Sequence, residues 1–148
     1  MHLIWMYRFL FFAILLFALR KGEEPERLVA ALMIAAGVLD VINHLMFGDP
    51  TFFAVNPGHI VIDSWSLLAM LWIALRANRA WPMWVCAAQI IVVLSHVAKL
   101  TELSLVRYGY FAMAQLPLPI QTTALLLGTI AHSRRSERIG RYHAWRLT

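Results

Sequence analysis

The sequence predicts an all-α integral membrane protein, a single bundle of five transmembrane helices. Of its 148 residues, 61% are hydrophobic and 14% are charged, whereas a soluble domain has about 45–50% apolar and about 25% charged residues. A soluble chain of this length cannot hide so much apolar surface in one small core. Five apolar runs are long enough to cross a hydrocarbon layer of about 30 Å. These runs are residues 3–19, 28–47, 59–75, 82–100 and 111–130.

Turn and capping residues separate these runs along the chain. The first run ends at the basic and glycine residues 20–22, and Pro25 with its flanking glutamates is typical of a helix N-terminus. Glycine and proline pairs on both sides of the loop 48–58 are turn signals. Pro82 suits the first turn of the fourth helix. Each predicted helix therefore has a physical start or stop.

The fifth run contains Pro117 and Pro119, which together remove two backbone donors from the helix. We therefore expect a kink or a break at these prolines. The five runs leave no room for a soluble domain, so residues 1–130 are predicted to form one bundle and residues 131–148 a basic cytoplasmic tail. The basic residues follow the first run rather than precede it, which favours a retained helix over a cleaved signal.

The basic residues are distributed unevenly, and their distribution predicts the orientation of the bundle. With the N-terminus outside, ten of the 13 lysines and arginines fall in the three inner segments 20–27, 76–81 and 131–148. Such a bias is typical of cytoplasmic loops. The net charge of +5 then reflects topology and attraction to anionic headgroups, with no need for nucleic acid as a partner. The single cysteine, Cys86, excludes an internal disulfide framework.

Ionisable side chains inside the predicted spans are costly in lipid and are therefore candidate functional residues. All of them lie in the outer third of their helices. Asp40 and His44 share one helix face at a spacing of four residues, and so do His59 and Asp63. We expect these side chains to meet in one polar pocket near the outer leaflet. The predicted pocket comprises Arg8, Asp40, His44, His59, Asp63, Gln89, His96 and Lys99.

Two kinds of bound group fit this set of side chains. His44, His59 and His96, with Asp40 or Asp63, offer three imidazoles and a carboxylate, which suit zinc or non-haem iron. His44 and His96 also lie at matching depths on two helices, as bis-histidine ligation of a b-type haem requires. The sequence leaves a divalent metal and haem as alternatives.

Two further interpretations of the pocket need no cofactor. Asp40 and Asp63 are candidate carriers of protons or cations across the membrane. Alternatively, Arg8 and Lys99 balance the two aspartates in charge, and the pocket is a structural polar network to which Gln89 also belongs. Both interpretations stay open at this point.

Two basic loops resemble those of a known group of proteins. Residues 19–27, which read LRKG and then PER, resemble the first cytoplasmic loop of small bacterial multi-spanning inner-membrane proteins with no assigned activity. Residues 75–84 resemble their second loop, where a helix ends in a short basic turn before Trp-Pro. His96 and residues 128–129 fit the same pattern, whereas residues 23–24 replace a shorter, glycine-rich turn. The resemblance implies the bacterial inner membrane and carries over no functional residues.

The sequence favours a non-enzymatic membrane subunit as the function. Without an aqueous domain, the lateral surface is the largest area available for lipid, other membrane proteins or a second copy of the chain. The small side chains between residues 30 and 37 suit close helix packing. The alternatives are a haem-binding or metal-dependent membrane protein and a small oligomeric transporter or channel for protons or ions. No phosphate-binding or dinucleotide-binding motif is present.

Overall fold

The computed structural model describes residues 2–48, 55–101, 107–140 and 142–146, and these residues are almost entirely helical. The all-α class predicted from the sequence is confirmed. The helices are α1 (His2–Lys21), α2 (Glu24–Phe47), α3 (Pro57–Arg76), α4 (Trp81–Thr101), α5 (Arg107–Gln115) and α6 (Pro117–Ile139).

Helices α5 and α6 are separated at Leu116 alone. The backbone of Leu116 stays in the right-handed helical region, and its N–H still donates to the carbonyl of Ala112 at 2.9 Å. Pro117 is the first residue of α6, where a backbone N–H would have no acceptor within the helix, so the N–H that proline lacks costs no hydrogen bond there. The predicted break is therefore a local interruption of hydrogen bonding, and the described residues form five helical rods. Because α6 continues to Ile139, about half of the predicted tail is helical.

The five rods form a closed ring around a shared core. α1 packs against α2 and α6, α2 packs against α3, α3 against α4, and α4 against both α5 and α6. The core contains Leu15, Val29, Val85 and Leu125 from four of these helices. Gly128 on α6 allows the Trp81 ring to lie against it, since an added Cβ would be 2.5 Å from that ring.

The outer surface of the bundle is apolar. Phe9 is 77% exposed, Leu45 82% and Trp84 68%, and a water-soluble monomer rarely exposes so many large apolar side chains. Four helical segments are long and apolar enough to cross a membrane, and they are Glu24–Phe47, Pro57–Arg76, Trp81–Thr101 and Tyr108–Ile139. The first helix is not one of these four, so the predicted span over residues 3–19 stays a prediction.

A buried ion pair joins the start of α2 to the turn between α3 and α4. Glu26 is fully buried, its carboxylate binds the Arg79 guanidinium, and it accepts a hydrogen bond from Trp81 Nε1 at 3.1 Å. Glu23 also binds Arg79, and the side chains of Glu23 and Glu26 form a capping box at the start of α2. The Glu26 carboxylate thus caps α2 and also neutralises the buried guanidinium of Arg79.

The C-terminal segment 142–146 packs against the same turn. Ala77 and Trp145 form an antiparallel β-bridge, and the N–H of Asn78 donates to the Ala144 carbonyl at 2.9 Å. These bonds hold the end of the described chain against the α3–α4 connection.

Tyr142 links this segment to the buried ion pair. Its ring lies under the guanidinium groups of Arg79 and Arg135, 5.2 and 4.3 Å from the ring centroid. Burial raises the pKa of the Tyr142 phenol above its ordinary value, so the hydroxyl is protonated at neutral pH. That hydroxyl lies 2.9 Å from Nδ1 of His132 on α6.

Removing the Glu26 carboxylate should destabilise the bundle, because Arg79 would keep only the more exposed Glu23 as its partner and Trp81 Nε1 would lose its acceptor. We expect Glu26→Ala to lower the free energy of unfolding by about 3–5 kcal/mol, the usual cost of breaking a buried ion pair. Glu137 is exposed on α6, and Glu137→Ala should change the same quantity by less than about 0.5 kcal/mol. Denaturation in mild detergent, followed by circular dichroism, compares the two variants. Equal losses would contradict the role given to the ion pair.

Candidate functional site

The ionisable residues predicted from the sequence gather at the end of the bundle opposite the Glu26–Arg79 pair. Asp40 and His44 lie in the last turns of α2, His59 and Asp63 in the first turns of α3, and His96 near the end of α4. Because consecutive helices run in opposite directions, these turns meet at one end. They form two neighbouring clusters.

The first cluster consists of Asp40, His44 and His59. The Asp40 carboxylate oxygens lie 3.0 Å from His59 Nε2 and 3.5 Å from His44 Nε2, and the two Nε2 atoms are 3.4 Å apart. Nδ1 of His44 lies 3.0 Å from the carbonyl oxygen of Gly48. Since a carbonyl only accepts, Nδ1 donates this hydrogen bond, and Nε2 is the ring nitrogen that lies next to Asp40 and His59.

A glycine allows α3 to approach α2 at this cluster. A Cβ on Gly58 would lie 1.8 Å from Oδ1 of Asn43, so no larger residue fits here unless Asn43 moves. Asn56 caps α3 by accepting the Gly58 N–H at 2.8 Å. The close approach brings the rings of His44 and His59 to 5.0 Å between their centroids.

The second cluster is a hydrogen-bonded chain centred on Asp63. The ring of His96 bridges two groups, with Nε2 2.8 Å from Asp63 Oδ2 and Nδ1 2.8 Å from the Tyr110 hydroxyl. Gln89 donates to Asp63 Oδ1 at 3.1 Å, and Gln121 donates to Gln89 Oε1 at 2.7 Å. The chain of bonds therefore connects α3, α4, α5 and α6.

A cavity of about 280 Å³ adjoins both clusters. Asp40 and His59 of the first cluster line it, and so does every member of the second cluster. The buried hydroxyl of Ser66 also lines the cavity, and within the described part of the chain its Oγ has no hydrogen-bond partner. Gln115 adds a further amide, and apolar side chains form most of the remaining wall.

The sequence predicts a polar network in which Arg8 and Lys99 balance the charges of Asp40 and Asp63, but the structure gives the two aspartates other partners. The aspartates bond to histidines and to Gln89, and among the described residues Arg8 pairs with neither of them. Arg8 is exposed, and its guanidinium lies 5.4 Å from the Trp5 ring centroid. Lys99 is buried on α4. Of the three predicted network residues, only Gln89 has a bond to an aspartate among the contacts described.

The structure divides the five predicted metal ligands into a group of three and a group of two. Asp40, His44 and His59 present ligand atoms that all lie within 4.8 Å of one another. Both ring nitrogens of His96 are already hydrogen-bonded. Haem ligation by His96 would therefore require breaking its bond to Asp63 or to Tyr110. Haem ligation and metal binding both stay predictions.

Sequence reasoning missed three parts of these arrangements. Tyr110 precedes the predicted span 111–130 and is not among the predicted pocket residues, yet it is 2% exposed and bonded to His96. Gln121 lies inside a predicted span, and an amide in an apolar helix needs a buried hydrogen-bond partner, so it could have been predicted as a member of the polar pocket. Glu26 and Arg79 were interpreted through helix capping and orientation, and their pairing across 53 positions is visible only in the fold.

No protein-family model matches this chain, and no curated protein or solved structure does either. The resemblance of the basic loops to those of small inner-membrane proteins stays a prediction. The chemistry of the site is therefore judged from its donor atoms and their geometry.

Tyr110→Phe removes one hydrogen bond from a buried histidine. We expect a loss of about 1–3 kcal/mol in the free energy of unfolding, the usual cost of an unsatisfied buried polar atom. Tyr108, also on α5, is 81% exposed, and Tyr108→Phe should change this quantity by less than about 0.5 kcal/mol. Thermal unfolding of both variants in detergent measures the difference. Identical melting curves would show that the Tyr110 hydroxyl does not stabilise the site.

Proposed function

We propose that this chain is a multi-pass membrane protein that binds a divalent transition metal through Asp40, His44 and His59. The observation that supports the proposal is the convergence of three ligand atoms from two helices to within 4.8 Å of one another. Two imidazoles and a carboxylate form a donor set that proteins use for zinc and for non-haem iron.

The separations between the three ligands match the edge of a coordination tetrahedron. With bonds of about 2.0–2.1 Å, two ligands of a tetrahedral zinc ion lie about 3.3 Å apart. The Nε2 atoms of His44 and His59 are 3.4 Å apart, His59 Nε2 lies 3.0 Å from Oδ1 of Asp40, and His44 Nε2 lies 3.5 Å from Oδ2 of Asp40. One carboxylate oxygen and the two Nε2 atoms could therefore converge on a metal ion through a rotation of the Asp40 carboxylate. The bond from His44 to the Gly48 carbonyl supplies the outer support that metal-bound histidines usually have.

We further propose that the site faces the outside of a bacterial inner membrane, with the N-terminus outside and the C-terminus in the cytoplasm. Support comes from the basic residues of segments 20–27, 76–81 and 131–148, because positive charge accumulates in cytoplasmic segments. The metal ligands lie at the opposite end of the bundle. The protein would then take its metal from the outer compartment.

A second candidate function is the non-enzymatic interaction partner expected from the sequence. A groove of about 440 Å³ lies between α2 and α3, where the small side chains of Ala31, Ala35 and Ala69 are flanked by Trp65 and Trp72. Small residues allow a neighbouring helix to approach closely. Native mass spectrometry should then recover a complex or homo-oligomer, and a monodisperse monomer would contradict this candidate. Transport of protons or cations through Asp40 and Asp63 stays a prediction.

The metal site predicts a specific loss on substitution of its ligands. Purified protein equilibrated with Zn²⁺ should retain one ion per chain after desalting, and His59→Ala should lose it because two ligands hold the ion far more weakly. His143→Ala is the matched control, since His143 is exposed in the tail and lies outside the cluster. Elemental analysis measures the retained ion. Equal zinc in both variants would contradict the proposal.

The proposed orientation is tested by reporter fusion. A reporter that is active only in the cytoplasm should be active when fused after Thr148, and one that needs the outer compartment should be inactive there. Opposite activities would reverse the bundle and place the metal ligands on the cytoplasmic side.

A further inference from the structure

We infer that the 280 Å³ cavity is the ligand pocket of the metal site and takes a small neutral molecule that carries a hydroxyl or carbonyl oxygen. The inference rests on the proposed metal site and adds the class of molecule that reaches it. Three features of the cavity support this assignment. They are its position beside the proposed metal ligands, the unpartnered hydroxyl of Ser66 in its wall, and the charge of the side chains that line it.

The cavity adjoins the open side of the metal site. Asp40 and His59 line it, whereas His44 does not. Three protein ligands leave a fourth position of a tetrahedral ion open, as in catalytic zinc sites. Since His44 and its partner Gly48 lie outside the cavity lining, an ion held by the three ligands would have the cavity on its open side.

Ser66 provides a buried hydrogen-bonding group with nothing to bind. The buried hydroxyls of Ser95, Thr122 and Thr129 each donate to a carbonyl of their own helix at 2.6–2.8 Å. Ser66 is 1% exposed, and its Oγ has no partner in the described part of the chain. The Oγ of Ser133 and the side-chain amide of Asn43 also have no partner among the described residues, but neither residue lines the cavity. Unsatisfied buried polar atoms are rare in folded proteins and call for a partner. An oxygen atom on a bound molecule would supply one.

The charge of the lining favours a neutral molecule. Asp40 and Asp63 are the charged side chains that line the cavity. With neutral imidazoles, a divalent ion and these two carboxylates sum to zero, so an anion would leave an uncompensated charge in an apolar surrounding. Phe11, Met33 and Val92 form part of the wall, and they suit an apolar body attached to the oxygen. The bilayer is the natural source of such a molecule.

Gly37 offers a way to close the cavity without touching the metal ligands. It lines the cavity, and a Cβ built on it meets no atom within 4 Å. Gly37→Leu should therefore occupy the space that the molecule uses. Gly109 also has open space around it but lies outside the cavity lining, so Gly109→Leu is the matched control.

The test uses the full chain in lipid nanodiscs, loaded with paramagnetic Co²⁺ or diamagnetic Zn²⁺. The probes are benzyl alcohol, which is neutral, and benzoate, which is similar in size but anionic. We expect Co²⁺ to enhance the proton relaxation of benzyl alcohol more than that of benzoate. Gly37→Leu should abolish the enhancement, Ser66→Ala should reduce it, and Gly109→Leu should leave it unchanged.

The visible absorption of bound Co²⁺ separates the possible failures. If wild-type protein binds no Co²⁺, the metal site itself is refuted, and this inference with it. If Co²⁺ binds but benzyl alcohol shows no enhancement, or benzoate shows more, only the cavity assignment is overturned. It is also overturned if Gly37→Leu behaves like Gly109→Leu. If Gly37→Leu loses the Co²⁺ spectrum, that variant has disturbed the metal site, and Ser66→Ala is the test of the cavity. Unchanged relaxation enhancement of benzyl alcohol in Ser66→Ala then overturns the assignment.

Discussion

A polar side chain that points into this bundle has to find its partner in the interior, because apolar side chains surround it. An unpaired polar group in such a surrounding costs several kcal/mol. Several buried polar residues accordingly bond to one another, and these bonds tie neighbouring helices together. Glu26 with Arg79 connects α2 to the α3–α4 turn at one end, and Asp63 with His96 connects α3 to α4 near the other.

The buried polar groups at the two ends of the bundle find different kinds of partner. At the Glu26 end two carboxylates, those of Glu26 and Glu23, bind a guanidinium, which is always charged, and Trp81 donates to Glu26. At the opposite end the carboxylates meet imidazoles, which are also metal ligands, and a cavity adjoins them. The first arrangement stabilises the bundle, whereas the second combines stabilisation with room for a ligand.

Helical periodicity explains why part of the site was predictable. A spacing of four residues places Asp40 beside His44 on any helix, and short connections make consecutive helices antiparallel, which brings His59 to the same end. The division into two clusters was not predictable. It depends on the rotation of α3 and α4 about their axes, which sets Asp63 against His96 and leaves His59 to face Asp40. Packing of whole helix surfaces decides that rotation.

The sequence by itself determined the all-α class, four apolar segments long enough to cross a membrane, and the end of the bundle at which His44, His59 and His96 lie. These follow from local properties, namely hydrophobic run length, turn residues and the position of each residue along its helix. The tertiary structure alone decided that Tyr110 is buried against His96, that Arg79 reaches Glu26, and that Ser66 lines a cavity. Each of these depends on which helices become neighbours, and no single helix carries that information.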